Sequence, residues 1–293
     1  MKNEGKKARY AVLADIHANL PALEAVLADI RGVDLDGVLV AGDMLNGPQP
    51  NEVMERLRTL PGCRMIRGNN ENYLLGFAEN RVPAAWWTNR QMGFVRWCYQ
   101  RLDGKHLDFI ANLPEQRTIG QAIRMVHGSP SSASEYFLPD THPERFAHAM
   151  RSTREAVVIF GHTHQAWQVR QDGRLAFNPG SVGVPMDGDA RAQYALLTHH
   201  DGQWLVEGRR LAYDLAAIRS AFMESGLYAY GGAFSHGYLY DVLTGGDILP
   251  GFVAHAVRQA EAVGLCSRDP IPDDVWEQAA ASYSWPEDFP YRP

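Results

Sequence analysis

The chain opens with short apolar runs that alternate with amphipathic stretches. Residues 9–15 (RYAVLAD) form an apolar run of strand length. Residues 21–31 (PALEAVLADIR) carry apolar positions at helical spacing, with Pro21 in the first turn and Gly32 just past the end. The next units repeat this logic: DGVLVAGD (36–43) reads as strand, PNEVMERLRTL (50–60) as helix and CRMIRGN (63–69) as strand. A β-α-β-α-β opening implies a parallel sheet covered by helices. The third strand runs into the stretch IRGNNEN, where Gly68 and Asn69 tolerate φ > 0, so the pattern predicts a strand ending in a loop.

From 78 to 113 the chain is more aromatic and reads as a helical insertion with its apolar residues on one face. Strand signals return at 116–127 and 156–160. Two hairpins follow, AWQVRQDGRLAFN turning at Asp172-Gly173 and AQYALLTHHDGQWLVEGRRL turning at Asp201-Gly202, which add antiparallel strands to the parallel set. Beyond 211 come a helix (213–226), a Gly and Tyr rich stretch (226–246), a further helix (252–264) and an end rich in Pro and Trp. The expected organisation is a core over 1–210, with its insertion at about 78–113, and a helical or irregular extension over 211–293. The extension has too few apolar positions for a core of its own, so it is expected to dock on the first unit.

Composition narrows the function classes. With 45% apolar residues over 293 positions the chain can bury a sizeable core, and a formal charge of −6 offers no footprint for sequence-independent nucleic-acid binding. Cys63, Cys98 and Cys266 are far apart and lack CxxC spacing, which argues against a disulfide framework and for a reducing compartment. No apolar stretch approaches the ~18 residues of a membrane span, and the N-terminal apolar run is too short for a secretory signal. A cytoplasmic protein is expected.

The polar residues that resist a structural explanation share one location. Asp15 and His17 follow the first strand, Gly42-Asp43 the second and Gly68-Asn69 the third, while His127-Gly128 and GHTH (161–164) end later strands. Open α/β sheets gather their functional loops at these carboxyl ends. Singly, an Asp after a strand is a helix cap and a lone His is hydrogen-bonded core. Two Asp, one Asn and four His together match the ligand preferences of divalent transition metals, and the absence of clustered cysteine argues against structural zinc.

The ordered set DIH (15–17), GD (42–43), GNNE (68–71), HG (127–128) and GHTH (161–164), followed by NPGSVGVP (178–185), resembles the calcineurin-like metallophosphoesterases, in particular the bacterial YfcE-like phosphodiesterase branch. The resemblance implies an α/β fold, a four-layer αββα sandwich of two mixed sheets flanked by helices. It implies two transition-metal ions drawn from Mn, Fe, Zn, Co or Ni. One would be held by Asp15, His17 and His164, the other by Asn69, His127 and His162, with Asp43 bridging. A shared hydroxide would attack phosphorus in line, with Asp43, His162 and Asn70 as the catalytic positions. Asn19 and the NPGSVG turn would lie close by as supporting or substrate-positioning elements, although both are also ordinary turn formers. Arg191 follows as a phosphate contact, with Met186 standing where relatives often carry another arginine. The position after the Asn ligand is commonly His in the family, an imidazole that protonates the leaving group; here it is Asn70.

The expected activity is hydrolysis of phosphodiester or phosphoanhydride bonds in small molecules, with nucleotides, bis-nucleoside polyphosphates among them, as first choice. A serine/threonine phosphoprotein phosphatase and a catalytically silent metal-binding interaction module are the alternatives. Seven costly, easily protonated ligands argue against the silent module. Aromatic residues of 78–113, or Tyr228, Tyr230, Phe234, His236 and Tyr238 in the extension, are candidates for a wall of the cleft, with plain packing as their competing role.

Overall fold

The structure is a computed structural model that describes residues 8–266 and 269–289. Its elements are β1 (Ala8–Leu13), α1 (Leu20–Asp29), β2 (Gly37–Ala41), α2 (Pro50–Thr59), β3 (Cys63–Ile66), α3 (Asn69–Ala78), a 3₁₀ turn (Ala84–Trp87), α4 (Gly93–Arg101), α5 (Gly104–Ala111), β4 (Gln116–Ile119), β5 (Ile123–Val126), α6 (Pro143–Arg151), β6 (Val157–Ile159), β7 (Ala166–Gln171), β8 (Arg174–Pro179), β9 (Ala192–His200) and β10 (Gln203–Leu211). The chain continues as α7 (Leu215–Glu224), the single turn α8 (Leu227–Tyr230), α9 (Gly232–Thr244), α10 (Ile248–Ala262) and α11 (Asp273–Ser282).

Two five-stranded sheets form, ordered β10-β9-β1-β2-β3 and β4-β5-β6-β8-β7. Both are mixed. β1, β2 and β3 run parallel while β9 and β10 are antiparallel. In the second sheet β5, β6 and β8 run parallel between antiparallel β4 and β7. Every residue of β2 is buried, as a parallel strand covered on both faces requires, whereas the edge strand β7 alternates between exposed and half-buried positions.

Three apolar clusters mark the layers. Val12, Leu39, Ile66, Met125, Ile159 and Phe177 lie between the sheets. Phe146 and Met150 of α6 pack on Val158 and Ala176 outside the second sheet. Outside the first sheet, Leu13 and Val40 join residues of α1 to α4 and, in the same cluster, Ile218, Phe222, Phe252 and Trp276 from beyond 211. The architecture is the four-layer sandwich with C-terminal helices.

Two local readings are corrected and two are resolved in finer detail. The segment after Gly68 is not a loop: Asn69 begins α3, and neither Gly68 nor Asn69 has a positive φ. Residues 78–113 are a 3₁₀ turn and two short helices. The strand at 116–127 is a β4-β5 hairpin turned at Gly120, whose φ is 58°. The Gly and Tyr rich stretch is helical, because packing of Leu227, Tyr238 and Leu239 into the core outweighs the weak helix propensity of glycine. Both Asp-Gly turns hold: Asp172, Gly173, Asp201 and Gly202 all have the positive φ of a two-residue type I′ hairpin loop.

Candidate metal centre

The loops after β1 and β2 are zipped together by their backbones. Asp15 N donates to Gly42 O at 3.1 Å, His17 N to Asp43 O at 3.0 Å and Ala18 N to Met44 O at 2.9 Å. This pairing holds Asp15, His17 and Asp43 at φ values of 50° to 53°, and His162 and His164 also lie at positive φ. Non-glycine residues occupy that region at a cost that surrounding structure must offset, and such positions concentrate at functional sites. The NPGSVG turn supplies part of the offset. Ser181 Oγ donates to Asp15 O at 2.7 Å, Gly183 N to the same carbonyl at 3.0 Å, and Asn178 Nδ2 to Gly161 O at 2.7 Å.

All seven side chains named by the resemblance converge. Two groups able to hold a cation result, Asp15 with His17 and His164, and Asp43 with His127 and His162, the ligand atoms of each lying within 4.8 Å of one another. Asn69 Oδ1 stands 3.1 Å from His127 Nε2, beside the second group. Asp43 Oδ2 lies between the groups, 3.2 Å from His127 Nε2 and 3.8 Å from His17 Nε2. Asp15 Oδ1 is 3.3 Å from His164 Nε2 and 3.8 Å from His127 Nε2.

The hydrogen bonds of the imidazoles test whether a cation fits. His127 Nδ1 is 2.7 Å from Ala41 O and His164 Nδ1 is 2.7 Å from Val184 O. A carbonyl only accepts, so Nδ1 carries the hydrogen in both rings and a neutral imidazole aims the Nε2 lone pair at the carboxylates. His17 Nε2 also points at His164 Nε2, 3.0 Å away. Lone pairs from nitrogen and oxygen thus meet in a buried space, which is a stable arrangement only around a cation or around protons. Without a cation, burial lowers His17 and His162 to about 4. Burial opposes charge on His127 as well, yet Asp43 and then Asp15 outweigh it and raise that ring to about 10. Protons and metal therefore compete for the same atoms.

Glycine is required where the loops touch. A Cβ on Gly68 would lie 2.1 Å from Asp43 Oδ1 and 2.8 Å from His127 Nε2, and one on Gly42 would lie 2.7 Å from His127 Nδ1.

The remaining candidates separate. Asn70 is buried at the site: its N–H donates to Asp43 Oδ1 at 2.9 Å, its side-chain amide donates to Asp43 Oδ2, and its Oδ1 accepts from Asn46 Nδ2 at 2.7 Å. Asn19 caps α1 by accepting from Ala22 N and clips the loop by donating to Gly183 O at 2.9 Å and Tyr213 Oη at 3.1 Å. Arg191 is not brought to the cavity; its exposed guanidinium is tied to Asp189.

Glu71 went unassigned in the sequence. Its buried carboxylate accepts from Asp43 N at 2.9 Å, Leu45 N at 3.0 Å and Gly68 N at 2.8 Å, which welds the β2 loop to the start of α3. The signal was a Glu three residues after Gly68, the glutamate half of a capping box, seen only once a helix is placed at Asn69. The extension contributes too. Phe234 and Tyr238 of α9, with Leu249, Pro250, Val253 and Ala254 around α10, line the cavity above His17, Asp43, His162 and His164. The Tyr238 ring stands 5.9 Å from that of His17. No residue of 78–113 lines it, and Tyr228 and Tyr230 face His236 and Arg96 instead.

With this geometry in view, the profile of the calcineurin-like phosphoesterase superfamily domain matches residues 9–202, and the chain belongs to that family. It is a metal-dependent phosphoesterase. It is 28% identical over 230 residues to an uncharacterized protein of Methanocaldococcus jannaschii, covering 71% of this chain and 89% of that one. It is 26% identical over 196 residues to phosphodiesterase YfcE of Escherichia coli K12, covering 63% and 84%. A metallophosphoesterase from Sphaerobacter thermophilus superposes with a TM-score of 0.64 at 28% identity over 76% of this chain and 98% of that one. A Pyrococcus horikoshii protein gives 0.66 at 21% identity over 82% and 99%, a likeness of fold. Among the described residues no helix is long and apolar enough to cross a membrane.

Proposed function

We propose that this protein hydrolyses phosphodiester bonds of small molecules, with Asp15, His17 and His164 holding one divalent cation, Asn69, His127 and His162 the other, and Asp43 shared. The observation that carries the reading is the convergence of imidazoles and two carboxylates in two adjoining groups, of which His17, Asp43, His162 and His164 line a single cavity. When bound, the cations activate an attacking water and neutralise the phosphoryl oxygens.

The chain's own residues do the rest. Asp43 is held from both sides, by the Asn70 amide at its carboxylate and by Glu71 at its backbone N–H, so its shared oxygen cannot swing away. Asn70 lines the cavity as a neutral donor, and an amide has no proton to give near pH 7. Leaving groups that depart without protonation therefore suit this site, which favours activated diesters and anhydrides over alkyl phosphomonoesters. The similarity to a protein named a phosphodiesterase supports the same choice.

The test is hydrolysis of bis-p-nitrophenyl phosphate by purified protein after chelation and after Mn²⁺, Zn²⁺, Co²⁺, Ni²⁺ or Fe²⁺ is restored, with metal content measured alongside. Metal-dependent release of nitrophenolate is the expected result; no turnover with any of these metals refutes the proposal.

A further inference from the structure

The cavity above the candidate metal floor has two unlike sides. The strand-end loops supply the polar one. The other is apolar and comes wholly from the C-terminal helices: Phe234, Tyr238, Leu249, Pro250, Val253 and Ala254. Among the described residues no lysine or arginine lines this cavity of about 460 Å³.

The start of α10 lies in the same wall, and helix starts ordinarily offer free N–H groups to anions. Here two of them are taken: Ile248 N and Leu249 N each donate to the Asp241 carboxylate at 2.9 Å, and Pro250 has no N–H.

We propose that the wall built by α9 and α10 selects the substrate class: phosphodiesters with one ionised phosphate and an uncharged, apolar ester substituent that lies against Phe234, Tyr238 and Val253. The inference rests on the phosphodiesterase reading above and narrows it. Two cations can neutralise the oxygens of the phosphate under attack. Each further phosphate of a nucleoside polyphosphate presses its charge against apolar side chains, with no lysine or arginine among the described lining residues to receive it. An unpaired charge held out of water is strongly disfavoured. An apolar substituent gains from the same surface, by about fourfold in affinity for each methylene buried.

The test uses the Mn²⁺-loaded enzyme and a series of methyl, butyl and phenyl p-nitrophenyl phosphates against diadenosine tetraphosphate, read as kcat/KM. Binding of diphenyl phosphate and of ATP is followed by calorimetry. From methyl to butyl kcat/KM is expected to rise by at least about tenfold, with diphenyl phosphate binding more tightly than ATP. Val253 is half-buried and Ala254 exposed, so both can be changed at the cavity surface. Val253→Asp, with the isosteric Val253→Thr as a milder companion, should flatten the methyl-to-butyl rise. Ala254→Arg should shift the preference toward the polyphosphate by about tenfold. A flat series, preference for diadenosine tetraphosphate in the wild type, or a rise unchanged in both Val253 variants overturns this inference and leaves the proposed function standing. Failure to cleave any diester overturns both.

Discussion

The weld made by Glu71 can be tested by removing one acceptor and nothing else. In Glu71→Gln the shape is kept, but one carboxylate oxygen becomes an NH₂ group. The best arrangement leaves the remaining oxygen on the side of Asp43 N and Gly68 N, where Oε2 now accepts bonds of 2.9 and 2.8 Å, and turns the NH₂ toward Leu45 N, now bonded to Oε1 at 3.0 Å. Two donors then face each other in a buried space. Losing a bond to a charged acceptor and stranding the donor costs about 2 kcal/mol. For 293 residues the unfolding entropy is roughly 0.6 kcal/mol per degree, so the melting temperature should fall by about 3 °C. The β2 loop carries Asp43, so metal affinity should weaken as well, by about 10 to 100-fold.

The pH dependence has a definite sign. Burial, and then the neighbouring Asp43 carboxylate, raise Glu71 to about 7 against three N–H groups that favour its ionised form. In the metal-free protein the folded state then holds the proton over a range where the unfolded state has released it. The contribution of Glu71 is full below its unfolded pKa near 4.3 and is lost as pH rises through about 7. Glutamine has no such step. Thermal unfolding at pH 5 and pH 8, with metal titration at pH 8, reads both effects. A variant that melts like the wild type at pH 5 and binds metal like it at pH 8 would refute the weld.

Three further outcomes are expected. Gly68→Ala forces a Cβ against Asp43 Oδ1 and His127 Nε2, so metal content should fall at both positions while far-UV circular dichroism stays near wild type; full metal loading would contradict the close approach. Asn70→His restores a group able to protonate a leaving group, an effect worth ~10² to 10⁴ in rate, and should raise turnover of alkyl phosphomonoesters relative to bis-p-nitrophenyl phosphate. An unchanged ratio would mean that no proton is needed at that position. Deletion of 227–293 removes Leu227, Tyr238, Phe252 and Trp276 from the apolar cluster that also contains Leu13 and Val40, so the truncated chain should lose cooperative unfolding; a sharply melting, soluble truncation would show that the first sheet needs no such cover.

Much of the fold was legible because its causes are local. A run such as GVLVA, buried at every position of β2, can only be a strand covered on both sides, and Asp-Gly at 172–173 and 201–202 carries its hairpin geometry in its own backbone preferences. The candidate metal-ligand residues were legible for a related reason. Asp15, Asp43 and Asn69 follow the carboxyl ends of parallel strands in the first sheet and His127, His162 and His164 those of parallel strands in the second, so topology gathers them before any side chain is placed.

Contacts between distant segments decided the remainder. Asn69 starts a helix instead of a loop because Glu71 finds the N–H groups of Asp43 and Leu45 across 26 to 28 residues of sequence, and no local propensity announces that. Two of the imidazoles owe their proton positions to the carbonyls of Ala41 and Val184, set by how loops cross. Arg191, close in sequence to the NPGSVG turn, is turned away by Asp189, its neighbour two residues back. The Gly and Tyr rich stretch has weak helix propensity, yet becomes part of the wall of the cavity, since only the packed sheet tells α9 which of its faces is inside. Sequence periodicity names the residues that can be buried; the tertiary structure alone names what they are buried against.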